Sequence, residues 1–175
     1  QTDADESPVI EDLWWSYAPK WIKGNARQVI NAKVEKAHSS GFYTPSYSKR
    51  RCLIPADGWY EWDKSATPKQ PHYFCREDRE PIFFAGLYAE REDGKLGCAI
   101  ITEPARGVAE TIHSRMPFVL DDESIEPWLD PDLTDKESVR NIALHLDASL
   151  IIHWPVSTAV NKPSDDQGAE LFNPA

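Results

Sequence analysis

Apolar residues come in short blocks along this chain, each closed by turn-forming residues, so strands dominate the expected structure. The central block is Arg51-Cys52-Leu53-Ile54-Pro55-Ala56-Asp57-Gly58-Trp59-Tyr60-Glu61-Trp62. Cys52 to Ala56 reads as a strand, Asp57-Gly58 as a tight turn, and Trp59 to Trp62 as the second arm of a hairpin. Polar residues 63–70 form a loop. Residues 71–76 and 81–90 are expected strands joined by the charged turn Glu77-Asp78-Arg79-Glu80. Residues 95–102 form another strand after the turn Glu92-Asp93-Gly94, and Leu150 to Val156 a last one. Short helices are expected over 103–112, from the acidic turn Asp121-Asp122-Glu123 to Leu129, and over 135–145, with an apolar strand at 118–120. Strands linked this closely predict an antiparallel sheet or open barrel. No repeat or linker divides the chain, and its 175 residues fit one domain.

Strand alternation puts Trp59 and Glu61 on one face and Tyr60 and Trp62 on the other. A carboxylate among three aromatics is costly to bury without a partner or a task, and such surroundings tend to raise its pKa into the range useful for proton transfer. The competing reading is an ordinary surface glutamate on an edge strand. His113-Ser114-Arg115-Met116-Pro117 sets a histidine two residues before an arginine. Unperturbed imidazoles titrate near 6.5, and an arginine adds an oxyanion or phosphate partner, although a lone histidine is more often structural. Asn31, in Val29-Ile30-Asn31-Ala32-Lys33-Val34-Glu35, either orients a substrate group or caps a helix over 32–37.

A 41% hydrophobic content and seven Trp, six Tyr and six Phe describe a globular chain. No apolar run is long enough to span a membrane. Cys52, Cys75 and Cys98 are an odd, widely spaced set inside strand-like segments, as expected of buried free thiols in a reducing compartment. Nothing resembles a metal-binding motif, so no metal is expected.

The net charge of −10 is segregated. Residues 1–12 carry Asp3, Asp5, Glu6, Glu11 and Asp12 and no base; residues 121–137 carry eight carboxylates and one lysine. From Trp14 to Arg51, Lys20, Lys23, Arg27, Lys33, Lys36, Lys49, Arg50 and Arg51 face one acid, Glu35. That suits a local anion-binding face on an acidic protein, or simply a solvated face. Aromatic residues cluster in 14–22. Most belong in a core, but Trp21 and Ile22, flanked by Lys20 and Lys23, are the best candidates for an exposed wedge between bases.

Taken together, WxYAPxW (15–21), INAxxE (30–35), RCLIPADGWYEW, KQPHYF, PIFFAGLY, ITEPA, IHSRMPFVL and the closing VSTAVNKP…GAEL resemble the SRAP domain, the SOS-response-associated peptidase family that shields abasic sites in single-stranded DNA. The blocks keep the family order and cover nearly the whole chain. The resemblance implies an α+β, β-rich fold, mainly antiparallel sheets or an open barrel with peripheral short helices and a DNA-binding groove. It implies a terminal cysteine, exposed by removal of the initiator Met, whose amine and thiol condense with the abasic-site aldehyde to a thiazolidine. An α-amine titrates near 8, so it is a better imine former at neutral pH than a lysine.

Carried over by motif, Glu61 activates or orients that terminus. His113 protonates the sugar ring oxygen as it opens, and Asn31 positions the sugar or the cysteine. Arg115 and Thr102 touch phosphates or the lesion, with Lys33 beside them, and Trp21 and Ile22 wedge next to it. The partner is single-stranded DNA with abasic sites. No cofactor, metal or membrane is involved, and a monomer in the cytoplasm, nucleoid-associated if bacterial, is expected. The sequence departs from the family twice. The opening Cys-Gly-Arg segment is not among these residues, and Lys33 stands where the family has Arg, keeping the charge without the bidentate fork. Two other functions stay open: a thiol peptidase using the same site, and a non-catalytic nucleic-acid-binding module.

Overall fold

The computed structural model describes residues 9–22, 28–162 and 168–175. Two sheets carry the fold, with mixed and antiparallel pairing, and neither closes into a barrel. In the first, β1 (Asn31–Lys33), β6 (Leu96–Pro104), β5 (Ile82–Glu90) and β2 (Arg51–Ala56) lie side by side in that order. β1 runs parallel to β6, the other neighbours are antiparallel, and β7 (Arg115–Pro117) also pairs with β6. The second sheet is antiparallel, in the order β3 (Trp59–Asp63), β4 (Gln70–Arg76), β8 (Ile151–Pro155). Among the described residues four short α-helices, α1 (Val34–Ala37), α2 (Thr44–Lys49), α3 (Ile125–Leu129) and α4 (Lys136–Ile142), sit around them.

The expected strands are present with shifts of one or two residues, except at 118–120, where β7 ends before it and Val119 and Leu120 make only isolated bridges; and the central hairpin is not a hairpin. β2 pairs with β5, Leu53 opposite Ala85, whereas β3 pairs with β4, Glu61 opposite His72. Asp57-Gly58 is the crossing between sheets. The usual two-residue hairpin turn built on Asp-Gly needs positive φ at both central residues, and among the described residues only Arg79, Gly94 and Gly107 have it. Gly58 is needed for a close approach instead: a Cβ there would lie 2.1 Å from the Phe74 carbonyl oxygen and 2.7 Å from the Tyr73 ring. Both faces of β2 are also covered, Leu53 packing on one apolar cluster and Ile54 and Ala56 on another, which suits a strand inside the fold.

Two other expectations change. Asn31 does not cap a helix: it is in extended β1 opposite Ile100, and α1 starts only at Val34. Residues 103–112 are not one helix. Glu103 and Pro104 finish β6, and a 3-10 turn occupies Gly107–Thr111, entered through Gly107 at φ 56°. The acidic stretch works as helix caps, Asp121 accepting from the Ser124 amide and Asp135 from the Ser138 amide, while Asp122 pairs with Arg76. Arg51 is not on a solvated face but buried at the ends of α2 and α3. All three cysteines are free, Cys75 and Cys98 buried and Cys52 half-buried.

On the inner face of the second sheet Trp59, Phe74 and His153 stack across the three strands, with centroids 4.9 and 4.8 Å apart. His72 Nδ1 lies 3.0 Å from His153 Nδ1, so one ring donates to the other. Burial pushes both imidazoles below the usual histidine value, and for His153 the neighbouring His72 adds to it. Below that value the unfolded chain takes up protons that the folded pair refuses, so stability falls as pH drops through the histidine range. The urea midpoint is therefore expected to be lower at about pH 5.5 than at about pH 7.5. His153→Phe, which keeps the stack on Phe74, should flatten the difference; an unchanged slope would show that other groups cause it.

Candidate active site

Between the two sheets runs a groove of about 1000 Å³. Alternation along β1 turns Asn31 and Lys33 to the surface and buries Ala32 in the core, so both polar residues reach the groove. Thr102 enters from β6, directly opposite Lys33. Glu61 projects from β3, and His113 and Arg115 come from the segment leading into β7. Six expected site residues thus share one wall system, although they are spread over more than eighty positions of sequence.

Glu61 and His113 form the centre. Glu61 Oε2 is 3.6 Å from His113 Nδ1, and Glu61 Oε1 accepts from the Trp62 amide at 3.2 Å. His113 Nδ1 also lies 3.0 Å from the Arg115 carbonyl oxygen. These short-range backbone contacts hold the imidazole in one orientation, as the His-x-Arg spacing allows. A smaller hollow of about 600 Å³, lined by Trp62, Lys64, Lys69 and Asn161, shares Glu61 with the groove.

Arg115 is not a free phosphate receptor. Its guanidinium donates to both carboxylate oxygens of Glu35, at 2.6 and 3.1 Å, and to the Thr102 carbonyl. This pair holds the Glu35 carboxyl below the usual range. Glu35 does not line the groove but holds a residue that does, a partnership that sequence reasoning passed over; the signal was its position as the one acid in the basic segment. Much of that segment is engaged elsewhere, Lys20 with Glu90, Arg50 over the Trp21 ring and Arg51 inside the fold, which leaves Lys33 on the groove.

Trp21 and Ile22 are not brought to the groove. Trp21 is half-buried, packing edge-on to the fully buried Tyr17. Ile22 is partly exposed beside it. The aromatic residue that reaches the groove from this part of the chain is Trp15, 55% exposed and anchored by its Nε1–H to the Ile30 carbonyl at 2.8 Å. The adjacent pair Trp14-Trp15 carried the hint, because neighbours on an extended segment point to opposite faces; both are exposed, Trp14 lying under Lys95 rather than on the groove.

Cys52 and Cys98 are on the groove floor, but burial raises both thiols, Cys52 to about 12 with help from Cys98. Neither is suited to act as a thiolate nucleophile. Among the described residues no three His, Cys, Asp or Glu side chains could hold a metal ion, and no helix is long and apolar enough to cross a membrane.

Comparison with known proteins agrees with this architecture. The family model described as SOS response associated peptidase (SRAP) matches residues 1–163. The chain belongs to this family. It is 35% identical over 177 residues to the abasic site processing protein YedK of Escherichia coli, covering 99% of this chain and 78% of that protein. It is 32% identical to the abasic site processing protein HMCES of Gallus gallus, covering 95% and 58%. Among solved structures, a Bacteroides thetaiotaomicron protein superposes with a TM-score of 0.81 at 23% identity, over 92% of this chain and 75% of that one. A phage-related protein of Bordetella bronchiseptica does so at 0.71 and 32%, over 87% and 74%. These solved structures therefore share the fold of this chain.

Proposed function

We propose that this SRAP protein captures abasic sites in single-stranded DNA as a covalent crosslink. The supporting observation is the meeting of Glu61, His113 and Asn31 on one groove with an aromatic wall, in a chain whose relatives are named for abasic site processing. In this reading bases stack on Trp15 and Lys33 attracts the backbone. A terminal cysteine ahead of these residues supplies the amine and thiol. The amine attacks the aldehyde and loses water to give an imine, and the thiol adds to that imine to close a thiazolidine. Glu61 takes up and returns protons at the amine, and His113 serves the opening of the sugar. The raised thiols of Cys52 and Cys98 support a nucleophile from outside the groove floor.

Intact-mass measurement tests this directly. The full-length protein mixed with a single-stranded oligonucleotide carrying one abasic site should gain the oligonucleotide mass less one water. Salt-sensitive binding without any mass gain would support the non-catalytic binding module instead. Cleavage of unrelated peptides, lost in Glu61→Gln, would support a peptidase.

A further inference from the structure

Lys64 has no role in the reading above, yet it makes the closest side-chain contact to His113. It follows β3 in the loop to β4, is exposed, and places Nζ 2.9 Å from His113 Nε2. The contact links the smaller hollow, which Lys64 lines, to the groove, which His113 lines. A lysine ammonium has three donors and no acceptor, so Nε2 must offer its lone pair. The ring proton then belongs on Nδ1, where the Arg115 carbonyl accepts at 3.0 Å and Glu61 Oε2 lies on the same side at 3.6 Å. The other tautomer would accept from the Arg115 amide, 3.2 Å from Nδ1, but would aim an Nε2 proton at a full positive charge. The partners therefore assign a neutral imidazole with Nδ1–H and a basic Nε2.

An abasic sugar is chiefly a closed hemiacetal, and an amine can attack only its open aldehyde. Opening needs two simultaneous proton movements, one off the C1′ hydroxyl and one onto the ring oxygen. We propose that Lys64 and His113 perform them as an acid–base couple, Lys64 being a further catalytic residue. As the sugar binds, the Lys64 ammonium leaves Nε2 for O4′ and frees the lone pair it occupied; Nε2 of His113 then takes the hydroxyl proton, the C1′–O4′ bond breaks as C1′=O forms, and the electron pair left on O4′ takes a proton from the Lys64 ammonium. Afterwards the imidazolium returns its proton to the Lys64 amine across their contact, so the couple is restored without another reagent. The couple reverses the direction in which the resemblance has His113 act, and it rests on the abasic-site reading.

The experiment compares full-length wild type, Lys64→Met and Lys64→Arg on two single-stranded oligonucleotides, one with an ordinary abasic site and one with an acyclic aldehyde that cannot close a ring. Single-turnover capture of the ordinary site should slow by about 10²-fold in Lys64→Met, with the acyclic aldehyde within about twofold of wild type. Lys64→Arg keeps the charge and the donor but holds its proton tightly, so it too should slow only the ring-closing substrate. ¹⁵N shifts of His113 should report Nδ1–H in wild type and Lys64→Arg, and a shift toward Nε2–H in Lys64→Met. Equal slowing on both aldehydes, no slowing on either, or an unchanged tautomer in Lys64→Met would overturn the role of Lys64 alone. A wild type that captures neither aldehyde would overturn the abasic-site reading and this role with it.

Discussion

Glu61→Gln is expected to lower the single-turnover rate of abasic-site capture by about 10²-fold or more, the usual contribution of a positioned acid–base group. Glutamine keeps the length and shape of glutamate and can still accept from the Trp62 amide, which bonds Oε1 at 3.2 Å. What it loses is the ability to take a proton and the charge that faces His113 at 3.6 Å. The side chain is only 24% exposed, so water does not readily replace a carboxylate there. Affinity for undamaged single-stranded DNA and the thermal midpoint should remain near wild type, because no buried apolar contact changes. Capture by Glu61→Gln within threefold of wild type would remove Glu61 from the proton path and return it to the status of a surface glutamate.

The largest loss of stability is expected at Arg51. The residue is 8% exposed, and its guanidinium donates to four backbone carbonyls, Trp128 at 2.7 Å, Tyr47 at 3.0 Å, Ser48 at 2.9 Å and Asp130 at 2.6 Å. These are the free carbonyls at the ends of α2 and α3, where a cation also meets the negative end of each helix. Burial lowers the guanidinium's pKa, with the nearby Tyr47 and Asp130 acting against it, yet no carboxylate side chain bonds it: its hydrogen bonds all go to carbonyls. Arg51→Met fills similar volume but leaves those carbonyls without donors in a site closed to solvent. The cost should be about 3–5 kcal/mol, read as a drop in urea midpoint at unchanged m-value. Arg51→Lys should recover only part, since one ammonium cannot span two helix ends. A loss under about 1 kcal/mol would mean that water reaches the carbonyls.

Strand identity and family were legible in the chain because both are local. The apolar, turn-bounded blocks read at 52–56, 71–76, 81–90 and 95–102 fall within two residues of strands, and Glu61 and His113 stand inside motifs whose neighbours define them. Pairing was not local. Asp57-Gly58 has the composition of a hairpin turn, and only the contact of Gly58 with Phe74 and Tyr73 reveals a crossing between sheets. Lys20 and Arg51 look alike as members of a basic set and Arg115 reads as a phosphate partner, yet the first is in a surface pair, the second is buried and the third is held by Glu35. Trp15 and Trp21 are equally aromatic, but the buried Tyr17 draws Trp21 inward and leaves Trp15 on the groove.

The amino-acid sequence by itself determined the strand-rich α+β class, the SRAP family and the residue types able to do chemistry, because periodicity and motif spacing are written along one dimension. Which side chains meet was decided only in three dimensions. The groove joins residues from β1, β3, β6 and the approach to β7, and Lys64 reaches His113 across 49 positions. Such encounters depend on sheet register and on which charges find partners first, and those are properties of the packed molecule.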